Sequence, residues 1–207
     1  MTINNPLTGI LNSKVKVDCL RHLCNYPVEL NGTQLSKLLK STPRSVHKAM
    51  SALVNEGVVS LRPHGNSFEY SINKANWIVK QLLVPVFIDE KVFLEKLMKD
   101  IKTRIMNCAV RESILSVVLF GSVHRKEENS RSDLDIFVLV DGQDQVGPVE
   151  EEMEKIGTAL LRSYGINLGP YVKSLRSFQR DQALGVIKSI LSSHQLVYGK
   201  EPQQYVR

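Results

Sequence analysis

Ile114-Leu115-Ser116-Val117-Val118-Leu119-Phe120-Gly121-Ser122 and, nine residues later, Ser132-Asp133-Leu134-Asp135-Ile136-Phe137-Val138-Leu139-Val140 decide how this chain reads. The first run is short, continuously apolar and rich in β-branched residues, as a buried strand requires. Gly121-Ser122 ends it. Glycine lets backbone come close to a ligand, and the Ser122 hydroxyl and N–H can hold a phosphate oxygen. The second run is a strand that opens with two carboxylates. Residues i and i+2 of a strand share a face, so Asp133 and Asp135 converge. Like charges entering an apolar strand are costly without a cation or donors. Placed together they suit one hard cation, the way a Mg²⁺–triphosphate is held.

Downstream, Val149–Tyr164 has helical periodicity, with Met153, Ile156, Leu160 and Leu161 inward. Glu150, Glu151, Glu152 and Glu154 fall on its outer or N-terminal face and read as solvated. Residues 166–172 form the next strand, and Gln182–Leu191 a closing helix. The Gly-Ser, nine-residue, Ser-Asp-x-Asp arrangement resembles the nucleotidyltransferase superfamily that includes DNA polymerase β. It is more similar still to the minimal nucleotidyltransferases, some of which act as antitoxins beside HEPN-type toxins. The resemblance spans about residues 112–175. It implies an α/β (α+β) domain, a mixed sheet with flanking helices, over 111–207. It implies Gly121 and Ser122 at the nucleotide, Asp133 and Asp135 at the metal, and Ser122, Asp133 and Asp135 as the catalytic set. The implied cofactors are Mg²⁺ and NTP, and a toxin-like protein is an implied partner.

One departure stands out. Active members of that superfamily usually carry a third carboxylate on the strand after the helix, as metal ligand or base. Here that stretch reads Gly165-Ile166-Asn167-Leu168-Gly169-Pro170-Tyr171-Val172-Lys173, without Asp or Glu. Asn167 is a poor metal ligand and no base. Asp141, Asp144 and Asp181 are near in sequence but off the expected strand. Loss of a general base costs about 10²–10⁴-fold.

The net charge of +6 lies wholly in the first 80 residues, which hold ten Lys or Arg against four acids; the remainder balances at seventeen of each. A compact basic domain suits phosphate backbones. Leu11, Val15, Leu20 and Leu23 mark a first helical face, stopped at Tyr26-Pro27. Asn31 caps a second helix with Gln34 three residues on. Thr42-Pro43 opens a third, with Val46, Ala49, Met50 and Leu53 inward. Its opposite face carries Arg44, Ser45, His47, Lys48 and Ser51. Residues 58–62 and 67–72 then alternate around Pro63-His64-Gly65-Asn66, a hairpin with a turn-rich tip. Three helices and a hairpin resemble a winged helix-turn-helix over about residues 12–74. That resemblance implies double-stranded DNA as partner, with Arg44, Ser45, His47 and Lys48 in the major groove and Arg62 and His64 on the backbone or minor groove. The domain is assigned to 1–80.

Residues 81–110 read as connector helices. Pro85 interrupts an apolar stretch from Trp77 to Phe87, and a fresh helix starts at Asp89. No Gly/Ser linker appears, and the surface around Trp77 suits a homodimer. Hydrophobic residues at 43% and charged residues at 23% match an ordinary globular chain. No apolar run approaches the roughly 20 residues of a membrane span. The N-terminus lacks a basic stretch followed by an apolar core, so no secretory leader is expected. Cys19, Cys24 and Cys108 cannot all pair and read as reduced thiols of a cytoplasmic protein. No ligand cluster surrounds His22 or His47. Two functions follow: a DNA-binding transcriptional regulator whose second domain binds Mg²⁺–NTP, or an active transferase moving NMP from NTP to a protein or nucleic-acid hydroxyl.

Overall fold

The computed structural model describes residues 2–65, 67–129 and 131–206. The chain has an α+β architecture with two sheets and divides into two compact units, Met1–Leu94 and Glu95–Arg207. The boundary falls inside the stretch read as connector.

The first unit opens with helices α1 (Pro6–Ile10) and α2 (Lys14–Asn25), then the short strand β1 (Leu30–Asn31). Helix α3 (Gly32–Leu38) starts at a capping box. The Asn31 side chain accepts from Gln34 N–H at 2.9 Å, and the Gln34 side chain accepts from Asn31 N–H at 2.8 Å. Helix α4 (Pro43–Asn55) is capped by Thr42, with proline at its start. Strands β2 (Val59–His64) and β3 (Ser67–Ile72) pair antiparallel, and β1 adds to the other side of β3. Pro63, expected in the turn, lies inside β2 opposite Phe68. The sheet order β1-β3-β2 makes β2 an edge, where a missing N–H is tolerated. Gly65 takes a positive φ of 54° at the tip; Asn66 lies outside the described residues.

The Trp77–Phe87 stretch differs from expectation. Pro85 does not interrupt it. A π-helical turn over Val79–Leu83 runs directly into helix α5 (Val84–Lys91). Pro85 is the second residue of α5, directly after that π turn, within a helix that continues through it. Asp89 is therefore inside α5, and the break comes at Val92 before helix α6 (Phe93–Asn107). Ile78, Val79, Leu83 and Phe87 join Leu20, Leu23, Val46, Met50 and Leu53 in one buried core. Leu83 and Phe87, from the stretch read as connector, thus lie in the first unit's core.

The second unit is built on a four-stranded mixed sheet, order β6-β5-β4-β7. Strands β4 (Ile114–Leu119) and β5 (Leu134–Val140) are antiparallel, and β6 (Leu168–Ser174) runs parallel to β5. The final strand, β7 (Gln195–Gly199), pairs antiparallel with β4. Helix α7 (Gly121–Arg125) follows β4, and helix α8 (Val146–Tyr164) lies against β6. Helices α9 (Leu175–Arg180) and α10 (Gly185–Ser192) complete the unit. Val118, Phe137 and Leu139 meet Phe178, Ile187 and Ile190 on one face. Ile136, Val138 and Val140 are buried on the other, so the sheet is covered on both sides and its central strands read as unbroken apolar runs.

Candidate active site

The strand ends fix the site. Phe120 N–H donates to the Asp135 carbonyl at 3.0 Å, and Leu134 N–H donates to the Asn167 carbonyl at 2.9 Å. These bonds tie the end of β4 and the starts of β5 and β6 together. Asp133 stands one residue before β5 rather than within it, and is exposed; Asp135 is half-buried. Both still face the same way. A Cβ built on Gly169 would lie 3.4 Å from Asp135 Oδ1 and 3.8 Å from Asp133 Cβ.

Gly121 has φ +76°, and a Cβ there would overlap the Asp135 carboxylate, with Cγ and Cβ only 2.8 and 2.9 Å away. The glycine is thus required twice, by its backbone angle and by the side chain pressed against it. Ser122 follows at the start of α7, and among the described residues its hydroxyl has no hydrogen-bond partner. The Asp135 carboxyl is pushed above its ordinary range, first by burial and then by the neighbouring Asp133 charge, while Arg125 pulls it back. Arg125 was not among the residues singled out from sequence. Its Nε donates to Glu127 at 2.8 Å, and its field reaches Asp135 from the last position of α7. Its only signal in the sequence is a cation three residues after the Gly-Ser corner.

Neither aspartate has an ion pair or side-chain hydrogen bond among the described residues. Two converging, unpartnered carboxylates fit a hard divalent cation. The described residues contain no group of three or more His, Cys, Asp or Glu able to hold a metal. Such a two-carboxylate site fits Mg²⁺, which commonly takes one or two protein carboxylates and completes its shell with phosphates and water. A groove of about 440 Å³ opens beside Asp133, lined by Glu154, Gly157, Leu161, Asn167 and Leu168 among others. Glu154, read as merely solvated, borders it. Asp181, near in sequence, is engaged by Arg180 and Lys173 at 2.8 Å each.

In the first unit, Arg44, Ser45, His47 and Lys48 are exposed on α4, opposite buried Val46, Ala49 and Met50. Arg44, His47 and Lys48 have no ion-pair partner among the described residues. The Ser45 hydroxyl instead accepts from Thr42 Oγ1 at 2.8 Å, within the cap. On the hairpin, Arg62 approaches Glu29 at 3.4 Å and His64 approaches Glu69 at 3.5 Å, both largely exposed. No described helix is long and apolar enough to cross a membrane.

The second unit's sheet, its glycine corner and its paired aspartates define a nucleotidyltransferase-type domain. Residues 99–203 match the family described as Polymerase beta, Nucleotidyltransferase, and the chain belongs to that family. No curated protein matches the chain. Among solved structures, a toxin-antitoxin crystallised with AMP-PNP is 21% identical, covering 50% of this chain and 77% of that one, with a TM-score of 0.35. PigF with SAH is 15% identical, covering 86% of this chain and 64% of that one, with a TM-score of 0.25. Neither superposition is close enough to carry an argument here.

Proposed function

We propose that this protein is a DNA-binding transcriptional regulator whose nucleotidyltransferase-family domain binds Mg²⁺–NTP. The observation that carries the nucleotide half is the packing of Asp135 against Gly121 with Asp133 alongside. Asp133 and Asp135 would hold the cation, and Gly121 and Ser122 would receive phosphate oxygens. Arg125 adds positive charge near the same point. Bound Mg²⁺ supplies charge neutralisation for the triphosphate and for a departing pyrophosphate. The unpartnered carboxylates and free Ser122 hydroxyl support the reading, since they leave ligand-ready oxygens at one corner.

The DNA half rests on helices α2, α3 and α4 followed by the β2–β3 hairpin, an order that resembles a winged helix-turn-helix, and on the +6 charge of residues 1–80. Arg44, His47 and Lys48 on α4 are free to meet base edges and phosphates; Ser45 serves through its cap or by rearranging. Arg62 and His64 would exchange their weak surface pairs for phosphate contacts. A homodimer is proposed through the surface around Trp77, which is 67% exposed. A toxin-like protein partner is carried over from the minimal-nucleotidyltransferase resemblance alone.

A second reading, active NMP transfer to a hydroxyl, is favoured by the family assignment and disfavoured by β6, which presents no carboxylate beside Asp135. Equilibrium dialysis with NTP and Mg²⁺ tests the nucleotide half. Asp133→Ala with Asp135→Ala should abolish metal-dependent binding; binding that persists in the double variant rejects the site.

A further inference from the structure

Four strand ends lie along one end of the second unit's sheet, in the order β6-β5-β4-β7. β4 arrives there at Leu119 and turns into Gly121-Ser122. β5 departs with Asp135, β6 with Leu168, and β7 with Gln195, which pairs with Leu119. Ser193 lies two residues before β7 with extended backbone, φ −156° and ψ 106°, and is exposed. Its Oγ is 3.1 Å from His124 Nε2. His124 sits two residues beyond Ser122 on α7, a rise of about 3 Å and about 200° around the helix axis, so the two side chains leave different faces of that helix. A hydroxyl hydrogen-bonded to an imidazole is the pairing that turns serine into a nucleophile. It stands at the end of the sheet where β6 supplies no base.

We propose that Ser193 is an internal acceptor, taking a nucleoside monophosphate from the bound NTP with His124 as its base. This rests on the Mg²⁺–NTP reading above. Ser193 Oγ forms a bond to the α-phosphorus. The bond from that phosphorus to the oxygen bridging the β-phosphate breaks, and pyrophosphate leaves. The hydroxyl proton passes to His124 Nε2. No other reactant is required. The product is a phosphodiester on Ser193, which consumes the hydroxyl, so the reaction runs once per chain. It reconciles a family site poor in bases with retained nucleotide binding: the acceptor and its base come from the chain itself.

The test uses the full chain with α-labelled NTP and Mg²⁺. Label should rise towards one per chain, with the mass of one nucleoside monophosphate on tryptic peptide Ser189–Lys200, located on Ser193 by fragmentation. Ser193→Ala should lose the label while Mg²⁺–NTP binding by equilibrium dialysis stays within about twofold. His124→Gln should keep binding and slow labelling by about 10²–10⁴-fold, the size of a general-base contribution. Without metal or nucleotide, phenylmethanesulfonyl fluoride should modify Ser193 faster in the parent than in His124→Gln; equal rates overturn the base assignment. Binding without any mass gain, or a gain on another residue, overturns the internal acceptor and leaves the nucleotide site standing. Loss of binding itself would remove the shared foundation instead.

Discussion

Gly169 stands directly beside Asp135 in the parallel register of β5 and β6, with the direction of its absent side chain aimed at Asp135 Oδ1. A carboxylate placed there would face the same corner as Asp133 and Asp135. A Cβ there would make ordinary contact at 3.4 Å, so substitution is sterically allowed.

Gly169→Asp should tighten Mg²⁺-dependent nucleotide binding by about tenfold, or about 1.4 kcal/mol, because the added carboxylate would join the two proposed to hold the cation. Gly169→Ala should leave affinity unchanged. Calorimetric titration of Mg²⁺ at saturating NTP reads both. An Asp variant no tighter than the Ala variant would show that the three positions do not share a metal.

Gly121→Ala should be far more damaging. The new methyl meets the Asp135 carboxylate, and the backbone must hold φ +76° with a side chain attached. Strain and overpacking together predict a loss of about 2–4 kcal/mol, measured by urea denaturation, along with loss of NTP binding. Gly165→Ala, also at positive φ but with open space around it, should cost only about 1 kcal/mol.

Arg44→Ala and Lys48→Ala should each weaken binding to operator DNA and lower the slope of log K against log salt by about 0.9 if each neutralises one phosphate. Fluorescence anisotropy at several salt concentrations measures this. Unchanged affinity in the double variant would remove α4 as the recognition helix.

Asp181 predicts an acid-range signature. Arg180, then Lys173, hold its carboxyl down at about 2. A depressed folded-state value means that the pairing stabilises the fold above the unfolded value of about 3.9 and loses that contribution as pH falls towards 2. Asp181→Asn should therefore be less stable than the parent at pH 6, with the gap closing between pH 4 and 2. Urea midpoints across that range test the sign.

The thiols should react in order of access. Burial pushes Cys19 and Cys24 up to about 11, Cys19 further helped by Asp18. Cys108 is raised too, but it is only half-buried. At pH 8, a thiol reagent should modify Cys108 first, and the other two only at the rate of unfolding.

The glycine corner was legible because its pattern is local: a glycine, a hydroxyl and two acids at spacings that one turn and one strand convert directly into geometry. The capping box at Asn31 and the start of α4 were legible for the same reason. What escaped needed a neighbour. β7 is a half-exposed edge strand, Gln195–Gly199, with one buried residue, and its apolar signal is too thin to read alone. β1 is two residues long and exists through pairing with β3. Gly169 looked like an empty stretch of strand until register placed it beside Asp135. Pro63 and Pro85 misled in different settings, one at a sheet edge, where a missing N–H is tolerated, and one directly after a π turn inside a continuing helix.

The widened turn at Val79–Leu83 also governs which way the following residues point. Val79, Leu83 and Phe87 are spaced by four and all are buried. In a regular α-helix, four residues overshoot a full turn by about 40°, so two such steps would swing Phe87 about 80° around the axis from Val79. The π turn takes up part of that angular drift. A substitution that tightened the backbone there would rotate the Phe87 ring toward solvent, although Phe87 itself was unchanged.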